Sequence, residues 1–293
     1  MNVNIRMNLK GAKPIVDIKI KQFITSLKPT IDLYNEQLVS NFIDNFFNWI
    51  KSSKQNQLSN IDQYTNKKLC SGTIQAFDHF YWKHKEKCFR FFNGEFMYHK
   101  ACLKHGAKYI PLNGKKIIKG DAVIISVPFS DYGTVHPSTV KILNICNNLE
   151  VPVLLDFAYY PCTKNIDIDL GYRCIDTITF SISKAFYGGE FLRVGIRLQR
   201  DNVDDGIDAF NSVNMHNRIS ISIANALINK YPVDYNWDTY ANAYAEVCKE
   251  KKLETTDCIM FGLGGKQYKE YNRGSDVNRV CISELVGQKI NEA

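Results

Sequence analysis

The sequence predicts an α/β protein with a mostly parallel, mixed sheet flanked by helices and a smaller α+β unit beside it. Three observations carry that expectation. Short β-branched runs alternate with helical patterns through the middle of the chain. Those runs are apolar on both faces, as strands covered by helices on either side must be. Polar residues gather where the runs end, and open parallel sheets bind ligands at those ends.

Taken in order, residues 1–40 form an N-terminal segment in which Pro14 and Pro29 leave only weak strand patterning. From 38 to 50, the apolar residues Leu38, Val39, Phe42, Ile43, Phe46, Phe47, Trp49 and Ile50 recur at three- and four-residue spacing, the signature of a helix with one buried face. A further helix is predicted over 74–87. The run Asp121-Ala122-Val123-Ile124-Ile125-Ser126-Val127-Pro128 reads as a buried strand, and 137–149 as a helix with Pro137 at its start. Further strands are predicted over 151–156, 177–181 and 192–198. Beyond about residue 200 the pattern weakens. Helices are predicted over 219–229 and 238–252, and strands over 257–262 and 279–283 joined by a glycine-rich turn. The organisation expected is an N-terminal segment (1–40) belonging to the small domain or to a dimer arm, a large domain (41–215) and a reduced C-terminal small domain (216–293).

Composition narrows the function classes. Hydrophobic residues at 45% and charged residues at 23% exclude a disordered, collagen-like or coiled-coil chain. No run approaches the roughly 18–20 apolar residues of a membrane span, and residues 1–10 lack the apolar core and cleavage site of a secretory signal. The nine cysteines are odd in number and contain no CxxC pair, which suggests neither a disulfide framework nor a zinc ribbon. Reduced thiols in the cytoplasm are the simplest reading. The net charge of +7 is spread over lysine pairs rather than a basic block, so an anionic small ligand explains it as well as nucleic acid does. Neither nucleic acid nor membrane is expected as a partner.

Four elements then occur in one order. Ser71-Gly72-Thr73 opens a predicted helix, Asp156-Phe157-Ala158-Tyr159 follows a buried strand, Ser181-Ile182-Ser183-Lys184 follows the next, and Arg193-Val194-Gly195 comes shortly after. Each alone has a plain structural reading: a helix cap, an Asp in a turn, a core tyrosine, a surface lysine or arginine. Together, over residues 60–200, they resemble the fold-type I pyridoxal-phosphate enzymes, specifically the class I/II aminotransferases.

The resemblance implies a seven-stranded sheet in an aminotransferase-like large domain that binds pyridoxal 5'-phosphate. It implies Lys184 as the Schiff-base lysine and proton shuttle and Asp156 as the carboxylate holding the pyridine nitrogen protonated. Tyr159 would bond the ring's phenolic oxygen, with Tyr160 beside it as a competitor. Gly72, Thr73, Ser71, Ser181 and Arg193 would hold the phosphate, through helix N–H groups, a hydroxyl and a guanidinium. Phe96 would stack on the ring, with Tyr98 as the alternative. Ser130 stands where the family has Asn before the glycine of Ser130-Asp131-Tyr132-Gly133. Arg193 comes nine positions after Lys184, one more than is common in the family. Arg279 would bind the substrate carboxylate or, alternatively, face solvent from a strand. Tyr34 is a candidate to reach a partner's phosphate in a homodimer with its site at the interface.

The activity implied is transfer of an amino group between an amino acid and a 2-oxo acid, in amino-acid metabolism. A lyase, decarboxylase or racemase on the same fold remains open, as does a catalytically silent relative. No metal is expected: His79, His84 and Cys88, read as one helix, do not share a face at spacings of five and four. Gly262-Leu263-Gly264-Gly265-Lys266 lacks the spacing of a phosphate loop, and His136 reads as a loop residue.

Overall fold

The computed structural model describes residues 11–27, 34–103, 106–113 and 115–292. Pro29, and the expectation for residues 1–10, lie outside them. The described N-terminal segment forms no strand before Asp17, whose carboxylate caps α1 (Ile18–Ser26) by accepting from Lys19 N and Ile20 N. Helix α2 (Leu38–Lys51) buries Val39, Phe42, Phe46 and Ile50 on the expected face. There follow β1 (Gln57–Ser59), β2 (Asn66–Cys70), α3 (Thr73–Lys83), β3 (Cys88–Phe91), α4 (Met97–Leu103), β4 (Tyr109–Pro111) and β5 (Asp121–Ser126). The chain continues through α5 (Thr139–Leu149), β6 (Val153–Phe157), β7 (Asp167–Asp169), β8 (Ile175–Ser181), α6 (Gly189–Leu192) and β9 (Gly195–Gln199).

Seven strands form one sheet in the order β2-β9-β8-β6-β5-β3-β4. All neighbours run parallel except β9, which is antiparallel to both β2 and β8. The mixed, mainly parallel sheet is the one the sequence predicts. Alternation along β5 explains why its run is apolar throughout: Val123 and Ile125 join the core on one face, Ala122 and Ile124 the core on the other.

The reversed direction of β9 positions the site. Because β9 is antiparallel, it begins at the edge where its neighbours end: Gly195 pairs with Cys70, the last residue of β2, and with Ser181, the last of β8. The segments after β2, β6 and β8 and the segment before β9 therefore meet at one edge of the sheet, which is where ligands bind in such folds.

The run over 192–198, expected as a strand throughout, divides: Leu192 ends the one-turn α6, and the strand starts only at Gly195. Gly188, at φ 91, starts that turn, and Arg193 closes it in the left-handed region, at φ 55. The helix expected to run to 87 stops at Lys83, so Cys88 stands on β3 and never shares a helix with His79 and His84.

Past α7 (Gly206–Ser212), helix α8 (Arg218–Lys230) packs on α2 and contributes Ile221, Ala224 and Leu227 to the large core. The second core begins with α9 (Tyr235–Lys251). It is completed by a three-stranded antiparallel sheet of β10 (Leu253–Thr255), β11 (Phe261–Gly264) and β12 (Asn278–Cys281), and by α10 (Ser283–Glu292). The strand expected over 257–262 begins only at Phe261, and the link from β11 to β12 is a short 3-10 helix and loop rather than a glycine turn. Ile15 and Tyr159 also pack into this second core, so the smaller unit is tied to both the N-terminal segment and the site edge of the large sheet.

Candidate active site

A cavity at the sheet edge is lined by Thr73, Ile74, Phe96, Asp156, Ala158, Tyr159, Ser181, Ser183, Lys184, Glu190 and Arg193. Lys184 is largely buried, and its Nζ donates to the carbonyl of Ala12 at 2.6 Å. Burial lowers its pKa and nearby Arg193 pushes the same way, while Glu190 and two neighbouring thiols oppose them. The amine is therefore easier to deprotonate than a surface lysine, as a nucleophile requires.

Asp156 stands near the end of β6 and is 4% exposed. Its Oδ1 accepts from Ala158 N at 3.0 Å and Thr179 Oγ1 at 3.2 Å. No described residue donates to Oδ2, and no described cation pairs with the group. Burial pushes its pKa up to about 7, with the carboxylate of Glu95 adding to the rise. A buried carboxylate in this condition is suited to a cationic N–H. Tyr159 is buried against Phe261, ring centroids 5.1 Å apart, and burial raises its pKa as well. Tyr160 turns instead into the large core and donates to Ile50 O at 3.3 Å.

At the other end of the cavity, Ser181 Oγ exchanges a hydrogen bond with Ser183 Oγ at 2.7 Å and donates to Val194 O at 3.1 Å. Arg193 has no hydrogen bond or ion pair with a described residue, and its guanidinium lies over Gly72. Gly72 has φ 71, so the backbone favours glycine, and a Cβ there would stand 2.8 Å from Arg193 Nη2 and push the guanidinium aside. The N-terminal turn of α3, an open guanidinium and two serine hydroxyls form a cradle for an anionic group. These residues fit pyridoxal phosphate at both ends: an unpartnered guanidinium for the phosphate and an uncompensated buried carboxylate for the ring nitrogen.

Three of the sequence candidates lie elsewhere. Ser71 lines a neighbouring hollow with Gln75, His216 and Asn217, which it shares with Arg193. Ser130 is 1% exposed, and its Oγ accepts from Arg273 Nη1 at 3.1 Å. Arg279 is 4% exposed; it donates to Ser130 O at 2.9 Å, and its guanidinium lies 4.4 Å from the ring centroid of Phe261. Of the two aromatic candidates, Phe96 lines the cavity, and Tyr98 binds Asp78 at 2.8 Å. Tyr34 is 90% exposed.

Several cavity-side residues escaped the sequence reading. Ser183 lay inside the Ser181–Lys184 motif and could have been found there. Glu190 and Arg273 carried no local signal. Arg273 ties three segments together, donating to Ser130 Oγ, to Asp131 Oδ1 at 2.9 Å and to Glu95 O at 2.8 Å. Among the described residues no cluster of three metal-ligating side chains occurs, and no helix is long and apolar enough to cross a membrane.

No family model matches the sequence, and no curated protein matches it. Solved structures do. The chain superposes on a tyrosine aminotransferase from Leishmania infantum with TM-score 0.62 at 15% identity, covering 98% of this chain and 92% of that one. It superposes on an aromatic aminotransferase from Pyrococcus horikoshii OT3 with TM-score 0.65 at 16% identity, covering 96% and 92%. A C-S lyase from Staphylococcus hominis, solved with pyridoxal phosphate bound, matches with TM-score 0.62 at 12% identity, covering 97% and 91%. The chain thus has the aminotransferase fold that its sequence resemblance implied.

Proposed function

We propose that the protein is a pyridoxal-phosphate-dependent enzyme, and specifically an aminotransferase acting between an amino acid and a 2-oxo acid. The observation supporting this is the meeting of Lys184, Asp156, Tyr159, Ser181, Arg193, Thr73 and Phe96 around one cavity. The cofactor, when bound, supplies an electrophilic carbon and a ring that withdraws electrons from the substrate's α-carbon. Lys184 would hold the cofactor through Nζ and, once released from it, would carry a proton to and from the substrate carbon. Asp156 would keep a proton on the ring nitrogen by its charge. Tyr159 would donate to the phenolic oxygen, and Phe96 would lie against the ring. Arg193, Ser181 and the N–H groups that open α3 bind the phosphate, with Ser71 holding the turn before them.

Arg279 is assigned to the substrate carboxylate, although it is 4% exposed and bonded to Ser130 O in the structure. The enzyme works in the cytoplasm, in keeping with eight described cysteines that are all free thiols. It works as a homodimer, in keeping with the exposed Tyr34 and the open guanidinium of Arg193. A lyase reaction on the same site is the second reading. Ser130 in the family's Asn position favours it, because its short side chain is 1% exposed beside Arg273 and does not line the cavity, so it would not give the ring oxygen the bond that an Asn would.

The test is a visible absorption spectrum of the protein with added pyridoxal phosphate, before and after a panel of amino acids. A band that bleaches with release of a 2-oxo acid supports transamination. Product without bleaching supports the lyase reading. No band, or full turnover by Lys184→Ala, overturns both.

A further inference from the structure

A second, larger cavity of about 630 Å³ lies between the N-terminal segment, α6 and α10. Its volume falls within the roughly 300–1,000 Å³ usual for small-molecule sites. It neighbours the active-site cavity, and Glu190 lines both. The wall between them is the N-terminal segment: Ala12 gives its carbonyl to Lys184, while the next residues, Lys13, Pro14 and Val16, face the larger cavity. Gly287 permits that wall, since a Cβ there would stand 2.9 Å from Val16 N.

The lining is selective in two ways. Pro14, Val16, Tyr187 and Phe191 make it chiefly apolar, and Phe191, 79% exposed, leaves its ring open to contact. Among its charged side chains, Lys13 pairs with Glu284 at 3.6 Å. Glu190 and Glu292 then bias the lining towards negative charge.

We propose that this cavity receives the side chain of the amine substrate, and that the substrates are amines or amino acids whose side chain is long, apolar along its length and not anionic. The inference rests on the reading of Lys184 as the reacting amine. The aromatic or aliphatic chain packs on Phe191, Tyr187, Pro14 and Val16, with its amino end turned past Glu190 towards Lys184. A dicarboxylic substrate would bring a second carboxylate against Glu190 and Glu292, where the one lysine of the lining, Lys13, is already paired with Glu284, and this disfavours it.

The test needs no loaded enzyme. Cofactor-free protein is titrated calorimetrically with 3-phenylpropylamine and with glutarate. Saturable binding of the amine, at least about tenfold tighter than glutarate, is expected, because a buried phenyl group and the charge preference act together. Phe191→Ala should weaken the amine about fivefold with an unchanged melting temperature, since the residue is exposed, and Glu190→Gln should weaken it too. Equal binding of both probes, or equal binding by wild type and Phe191→Ala, overturns the proposal. With pyridoxal phosphate added, a band bleached fastest by aspartate or glutamate overturns the substrate class and leaves the functional reading intact. No band at all removes the functional reading, and the substrate assignment with it.

Discussion

The Nζ of Lys184 is held by the backbone carbonyl of Ala12 at 2.6 Å, so the segment ahead of the first helix lies directly on the lysine assigned to the chemistry. That segment is anchored from the smaller unit. Asp17 is 4% exposed, accepts from Tyr235 at 3.0 Å and from Tyr240, and caps α1 with the same carboxylate. Asn291 of α10 donates to Val16 O at 2.8 Å and accepts from Ile18 N at 3.3 Å.

Loosening that anchor should expose Lys184. Asp17→Ala removes a helix cap and the acceptor of two tyrosine hydroxyls, a loss of roughly 2–4 kcal/mol of stability. Without cofactor, Lys184 should then react severalfold faster with an amine-directed reagent, read site by site by mass spectrometry. Unchanged labelling in a destabilised variant would mean that the segment does not shield the lysine.

Gly72→Ala should separate the cofactor cradle from the fold around it. The new Cβ meets Arg193 Nη2 at 2.8 Å and Cζ at 3.2 Å, and the φ of 71 adds strain of about 1 kcal/mol. Arg193 must swing away from the N-terminus of α3. Pyridoxal phosphate should bind about tenfold more weakly, equivalent to about 1.4 kcal/mol, by absorbance titration. Pyridoxal without phosphate, which has no use for Arg193, should bind equally to both proteins.

Asp156 sets a pH dependence whose sign is fixed by its raised pKa of about 7. The folded protein holds this proton more tightly than the unfolded chain, whose aspartate titrates near about 4. The resulting stability is complete below about 4 and is lost as pH rises through about 7. Between pH 5 and 8 the wild type should lose on the order of 2–3 kcal/mol through this group, and Asp156→Asn should keep it. Thermal melts across that range measure the difference. Bound cofactor, placing a cationic nitrogen against the carboxylate, should flatten the wild-type curve.

What the sequence made legible was the sheet interior and the motifs fixed to its edge. A strand buried on both faces has no polar face to confuse its reading, which is why β5, β6 and β8 stand out. Asp156 and Lys184 could be read because each sits on or just after such a strand. Arg193 reads from the sequence as a strand position, because Leu192 and Val194 continue the apolar pattern of Ile196, and only the Gly188-Gly189 pair hints at the turn that intervenes. Contacts between distant segments left no local trace. Arg90 reads as any strand arginine, yet it is buried in an ion pair with Asp121. Arg273, in an unpatterned loop, reaches Glu95, Ser130 and Asp131 only after both units have folded.

Arg273 also explains how the chain accommodates Ser130 beside a buried carboxylate. Its guanidinium fills the side of Ser130 while neutralising Asp131, which is fully buried and otherwise bonded through Ser275 Oγ at 2.7 Å. Burial raises the Asp131 pKa, and Arg273 is the largest influence opposing that rise. Arg273→Met should therefore leave an unpaired buried carboxylate and cost roughly 3–5 kcal/mol. Adding Asp131→Asn should recover much of that loss, because the charge that needed the arginine is gone. Additive losses in the double variant, by denaturant melts at pH 7, would mean that Arg273 acts through Ser130 and Glu95 rather than through the ion pair. Ser130→Asn alone should destabilise by roughly 1–3 kcal/mol from overpacking, with no gain in transamination, since the space an asparagine needs is already occupied by Arg273.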